Sequence, residues 1–198
     1  VLGLLAAERW DRADLRRLFK PAASAAFLAI AVASGSLETR FGALILAGLA
    51  CCAVGDVLLI PGGARPFLAG MAAFAAGHAL YLGAFLSAGV DPAAFLIGLL
   101  MTAAGSLAVL NWLWRDLGEF RLPGALYAAV ISAMVAGGVG FWSAHPSTES
   151  ARLAAAAAAF ALSDVAVARD QFRKRTFFNR LWGLPLYYAA QGVFAFGV

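Results

Sequence analysis

Two acidic side chains stand in stretches of the chain that are otherwise apolar: Asp56 in "CCAVGDVLLI" and Asp164 in "AFALSDVAVA". An acid in hydrocarbon costs about 2.5–3.5 kcal/mol on insertion scales, so a chain carrying two of them uses them, in buried pairs and helix-to-helix hydrogen bonds or in chemistry. Paired carboxyl groups suit acid-catalysed cleavage through a cationic intermediate. One is kept protonated by desolvation and donates, while a better solvated partner stays ionised, which is the logic of glycosidases. A second use of the same pair is to relay protons or bind a cation in a small transporter.

The spacing predicts that the two acids share a depth. In the apolar stretches Phe41 to Ile60 and Leu153 to Ala168, which run the same way across a membrane, each Asp lies four residues before the end. At 1.5 Å per residue both carboxylates fall about 6 Å below the same boundary. Lys20, Asn111, Tyr187 and Tyr188 are expected in that half as well. His78 and Tyr81 share a helix face with Gly70, Phe74, Gly77 and Phe85, recurring every three or four residues. His78 is expected nearer the midplane, about 18 Å from the inner end of its helix. Each of these residues also has a plainer reading: His78 and Gln191 as hydrogen-bonded packing groups, the tyrosines as an interfacial aromatic belt.

Other chemistries find little footing. The chain has two histidines, His78 and His145, and neither an HExxH nor a CxxC, so no metal is expected. No GxSxG, GxxxxGK[ST] or dinucleotide fingerprint occurs, so no cofactor is expected, and no nucleic-acid-binding module is present. The adjacent Cys51 and Cys52 cannot staple the chain.

The elements that must position these groups are helices. The chain has 198 residues, 63% of them hydrophobic and 13% charged, too apolar for a soluble domain of this size. Seven apolar stretches are read: Pro21 to Gly35, Phe41 to Ile60, Pro66 to Gly89, Pro92 to Trp114, Leu122 to Ser143, Leu153 to Ala168 and Leu181 to Val198. Most have the roughly 20 residues a helix needs to cross hydrocarbon, and they lack the alternation of a membrane barrel. The opening "VLGLLAA" reads as the stub of a further helix. The expected fold is all-α, a polytopic transmembrane helical bundle of seven full helices plus that stub, in one domain over residues 1–198. Of the 15 Lys and Arg residues, 13 fall in alternate connections on one side and 2 on the other. The positive-inside rule makes the first side cytoplasmic. "GDV" and "SDV" in equivalent places, each followed by a basic loop, suggest a parallel four-helix repeat.

Taken in order, "FKP" at Phe19 to Pro21, "GD" at Gly55 and Asp56, Phe74 with "GHALY" at Gly77 to Tyr81, "LPG", "SD" at Ser163 and Asp164, and "YYAAQ" at Tyr187 to Gln191 resemble the YhhN-type lysoplasmalogenase family of integral membrane proteins. The resemblance covers nearly the whole chain. It implies an eight-helix fold and hydrolysis of the vinyl ether bond of lysoplasmalogens to a fatty aldehyde and glycerophospho-ethanolamine or -choline, with a lysophospholipid substrate drawn from membrane lipids. Asp56 and Asp164 would then be catalytic. Lys20, His78, Tyr81, Asn111, Tyr187, Tyr188 and Gln191 would orient headgroup, glycerol or water, and Arg16, Arg17, Arg173, Lys174 and Arg175 would attract phosphate. A bacterial inner membrane is the expected location. Oligomeric state is left open.

Overall fold

The computed structural model describes residues 1–197, and Val198, the expected end of the last apolar stretch, lies outside the described residues. Eight α-helices follow one another: α1 (Leu2–Arg9), α2 (Ala13–Ala33), α3 (Arg40–Leu58), α4 (Ala64–Ala88), α5 (Pro92–Leu113), α6 (Arg121–Ala144, after a short 3-10 turn at Gly118–Phe120), α7 (Thr148–Phe172) and α8 (Phe177–Phe196). Seven are full-length and the first has eight residues. No strand occurs among the described residues.

Local chemistry sets several boundaries. The amide of Gly42 donates to the Thr39 hydroxyl at 2.9 Å and the amide of Ala94 to the Asp91 carboxylate at 2.7 Å, capping α3 and α5. Pro92 follows Asp91 at the helical position where a missing N–H costs nothing. Ser147 and Ser150 close a reciprocal capping box at the start of α7. The turn from α3 to α4 needs positive φ at both Gly62 and Gly63, which suits residues without a Cβ.

Among the described residues, five helices have the length and apolarity to cross a membrane: α3, α4, α5, α6 with its preceding turn, and α7. The chain is an integral membrane protein. α2 and α8 are long enough but more polar, because α2 carries Asp14, Arg16, Arg17 and Lys20 in its first turns and α8 carries Asn179, Arg180 and Gln191. Helices also run past the apolar stretches that mark them. α2 starts at Ala13 rather than Pro21, and α7 spans Thr148–Phe172 rather than residues 153–168. Charged turns stay helical where water and headgroups solvate their side chains, so hydropathy locates the lipid-facing part and misses the ends. Asp56 lies two residues before the end of α3 and Asp164 eight before the end of α7, so the equal spacing from helix ends does not hold.

Six helices close a ring in the order α2, α3, α4, α6, α7, α8 and back to α2. α5 packs outside it, mainly on α6, and α1 rests on α2 and α8. Tyr81, Phe85, Phe160, Phe194, Leu49 and Met134 fill the ring interior and are essentially inaccessible. At one end, His145 contacts the carbonyl of Ala88 and the amide of Asp91 donates to the carbonyl of Gly140, joining the α4–α5 and α6–α7 connections. At the other end, the connections before α2, α4, α6 and α8 surround one cavity.

Candidate active site

Asp56 sits on α3 with its side chain 3% exposed and donors on every side. The Ser24 hydroxyl donates to Oδ2 at 2.7 Å and the Tyr187 hydroxyl to the same oxygen at 2.9 Å. The Lys20 ammonium stands 3.4 Å from Oδ1 and also reaches the Asp56 carbonyl at 3.5 Å. Lys20 and Ser24 are one turn apart on α2, so a single helix face supplies both. A carboxylate that accepts two hydroxyl hydrogen bonds and faces an ammonium is satisfied as an anion.

Asp164 is placed differently. Its side chain, on α7, is 14% exposed. The Tyr127 hydroxyl of α6 donates to Oδ2 at 3.0 Å, and Nε2 of His78 on α4 lies 3.5 Å from the same atom. The His78 ring is fully buried, tilted against Phe160 at 4.3 Å between ring centroids, with Nδ1 2.7 Å from the carbonyl of Phe74. Among the described residues the two carboxylates share no hydrogen-bond partner. Phe74, Phe160 and Tyr187 stand in edge-to-face contact in the same region, with Phe160 touching His78 and Tyr187 bonded to Asp56.

Both acids line one cavity of about 1110 Å³. That exceeds the roughly 300–1,000 Å³ of pockets for drug-sized ligands. Its deeper part runs between α5, α6 and α7 and is mostly apolar, with Val109, Ile131, Val135 and Leu162 among its walls. Its mouth is basic: Arg16, Arg17, Arg173, Lys174 and Arg175 all line it, with Arg180. Arg180 and Arg16 contact Glu8, Arg180 also bonds Asp170, and Arg173 pairs with Asp116 at 2.8 Å. Arg17, Lys174 and Arg175 make no ion pair among the described residues and keep their charge for an incoming anion.

The residues singled out from sequence divide. Lys20, Asp56, Asp164 and Tyr187 line the cavity, and His78 touches it through Asp164 from a buried position behind. Tyr81 and Gln191 bond each other at 2.8 Å deeper in the core, where Tyr81 stacks on Phe194 at 4.2 Å. Tyr188 packs on Tyr187 at 4.8 Å and is buried away from the cavity wall. Asn111 is exposed on α5 and belongs to neither carboxylate, because the residues of α5 that line the cavity, such as Val109 and Leu110, occupy a different face. Two partners were not singled out, Ser24 and Tyr127. Ser24 carried a signal in its position four residues after Lys20, whereas nothing around Tyr127 distinguishes it from other aromatic residues of a membrane helix.

Lysoplasmalogenase TMEM86B of mouse is 34% identical over 81% of this chain and 64% of its own length. The human protein of the same name is 35% identical over 75% of this chain and 60% of its own length, and lysoplasmalogenase TMEM86A of cattle is 34% identical over 76% and 63%. The chain thus spans a little over three fifths of the relatives it matches. No solved structure gives a significant match. The sequence profile of the YhhN family matches residues 15–198, from the first turn of α2 through both aspartates to the end of the chain, and the protein belongs to that family.

Proposed function

We propose that the protein hydrolyses the vinyl ether bond of lysoplasmalogens, or closely related ether lysolipids, by acid–base catalysis with Asp56 and Asp164. The observation that carries this reading is two carboxyl groups in unlike surroundings on one large cavity that is basic at its mouth and apolar within. A lysolipid has this pattern: an anionic phosphate at the interface, a labile bond just beneath the glycerol and a single apolar chain. The relatives' names, which denote lysoplasmalogenases, support the same substrate class.

Protonation of the vinyl carbon remote from the ether oxygen leaves an oxocarbenium ion. A water molecule adds to the cationic carbon and gives up a proton to a carboxylate. The hemiacetal then parts into a fatty aldehyde and the glycerol hydroxyl, so one water is consumed and no redox partner is involved. Arg17, Lys174 and Arg175 draw in the phosphate electrostatically. In this reading the basic end faces the cytoplasm from a bacterial inner membrane, an orientation that the charge asymmetry of the connections supports.

Purified protein in detergent is expected to release aldehyde from an ether lysolipid. Asp56→Asn and Asp164→Asn are each expected to lower the rate by at least about 100-fold, the range for general acid–base groups, while the protein stays folded. Full activity in both variants would remove the mechanism. Movement of a solute across liposomes without any aldehyde would replace it with a transporter.

A further inference from the structure

We infer that Asp164 is the carboxyl group that delivers the proton to the vinyl carbon, and that His78 is the positioning residue that keeps this proton on it. The inference rests on the reading of the site as an ether hydrolase and adds the distinct roles of its two acids.

The Phe74 carbonyl can only accept, so at 2.7 Å it requires a hydrogen on Nδ1 of His78. A neutral ring with its hydrogen on Nδ1 presents a lone pair at Nε2. Nε2 is fully buried, has no hydrogen-bond partner, and faces Oδ2 of Asp164 at 3.5 Å. A lone pair on Nε2 facing a carboxylate oxygen sets acceptor against acceptor, and one proton between them relieves both. A neutral acid beside a neutral imidazole also avoids a buried ion pair, which would need further partners to offset its desolvation. Among the described residues, the Tyr127 hydroxyl is the one group hydrogen-bonded to this carboxyl.

Asp56 has no such place for a proton. Its Oδ2 already receives two hydroxyl hydrogens and its Oδ1 faces an ammonium. It is also the more enclosed of the two, at 3% exposure against 14%. Burial alone would favour the neutral form of Asp56, but its two hydroxyl donors and the Lys20 ammonium offset that cost, so the acid with fewer donors carries the proton and Asp56 is the fixed negative charge.

In the step itself, the O–H bond of the Asp164 carboxyl breaks as the π electrons of the vinyl group form the new C–H bond. The positive charge passes to the ether-bearing carbon and its oxygen, in the field of the Asp56 anion. The carboxylate left on Asp164 keeps the Tyr127 hydrogen bond. It recovers a proton from the water that adds to the cation, and Nε2 holds that proton on Oδ2 for the next turnover.

Infrared difference spectra of the resting protein, recorded without substrate, test where the proton sits. The protonated-carboxyl C=O band is expected to disappear in Asp164→Asn and to persist in Asp56→Asn. Loss of that band with Asp56→Asn instead, or its absence from the unaltered protein, would overturn the assignment. Turnover supplies a second readout. His78→Gln retains an acceptor oxygen and is expected to keep kcat within about tenfold, while His78→Leu is expected to lose about 100-fold in kcat with KM nearly unchanged. Equal losses in both variants, or losses that track a lowered unfolding temperature, would make His78 a packing residue and sink its role. If the unaltered protein releases no aldehyde, the hydrolase reading fails, and the infrared bands still decide which acid is protonated.

Discussion

Lys20 and Asp56 form an ion pair that the surrounding protein encloses almost completely, with 12% and 3% of their side chains exposed. Removing one partner from such a pair leaves an uncompensated buried charge, at a cost of about 3–5 kcal/mol. Lys20→Met, which keeps the stem and deletes the charge, is therefore expected to destabilise the protein by roughly 3 kcal/mol and to stop aldehyde release. Combining it with Asp56→Asn is expected to restore most of the stability and none of the activity. Unfolding curves in detergent for the two single variants and the double variant read the coupling directly. A Lys20→Met protein of unchanged stability would mean that Ser24 and Tyr187 alone satisfy Asp56. At this scale the sequence displays charged groups well, because Asp56 and Asp164 have few innocent reasons to lie in apolar segments, and Lys20 stands directly before one. It displays hydroxyl partners poorly. Ser24 and Tyr127 are bonded as closely as Tyr187, yet serine and tyrosine are at home in membrane helices and at their interfaces, so only three-dimensional placement separates a partner from a bystander.

Between α3 and α4 the backbones approach more closely than any side chain would permit. A Cβ on Gly48 would stand 2.4 Å from the Tyr81 ring, and one on Gly77 would stand 2.7 Å from the Cys52 sulfur and 3.0 Å from the Gly48 carbonyl. Such contacts are the main source of helix association in lipid, where no hydrophobic force separates protein from solvent. Gly77 also lies next to His78 and within one turn of Phe74, whose carbonyl orients the imidazole. Gly77→Val is expected to lower stability by about 1–3 kcal/mol through overpacking, and to reduce kcat by displacing His78 from Asp164. Thermal unfolding measured beside turnover checks both parts, and a fully active Gly77→Val would show that α4 can shift without disturbing the acid. The helices themselves are evident from apolar stretches, with their number as expected at seven full elements and one short one. Their ends are not. The charged first turns of α2 and the last turns of α7 are solvated rather than lipid-facing, so they lack the hydropathy that marks the remainder.

Across the whole molecule the ring has an internal regularity that the paired "GDV" and "SDV" segments anticipate. Asp56 on α3 draws its partners from α2, immediately before it, and from α8; Asp164 on α7 draws its partners from α6, immediately before it, and from α4. Exchanging the first four helices for the last four maps one set onto the other, and the two acids then stand on opposite members of the six-helix ring. Equivalent positions with different side chains explain how one bundle builds two unlike carboxyl sites: an ammonium and a hydroxyl from α2 with a phenol from α8 on one side, a phenol from α6 and an imidazole from α4 on the other. The same regularity brings the connections before α2, α4, α6 and α8 to one end, where they and the helix turns flanking them carry 13 of the 15 basic residues and surround the cavity. With the orientation proposed above, a substrate that enters there would come from the cytoplasmic leaflet. The orientation is testable in a protein whose native thiols are replaced through Cys51→Ala and Cys52→Ala. Glu119→Cys, exposed at the cavity end, is expected to react with a membrane-impermeant maleimide only after cells are permeabilised. Glu149→Cys, exposed at the opposite end, is expected to react in intact cells. The reverse pattern would place the basic mouth outside, and the substrate would then have to come from the outer leaflet, against the charge asymmetry of the connections taken together.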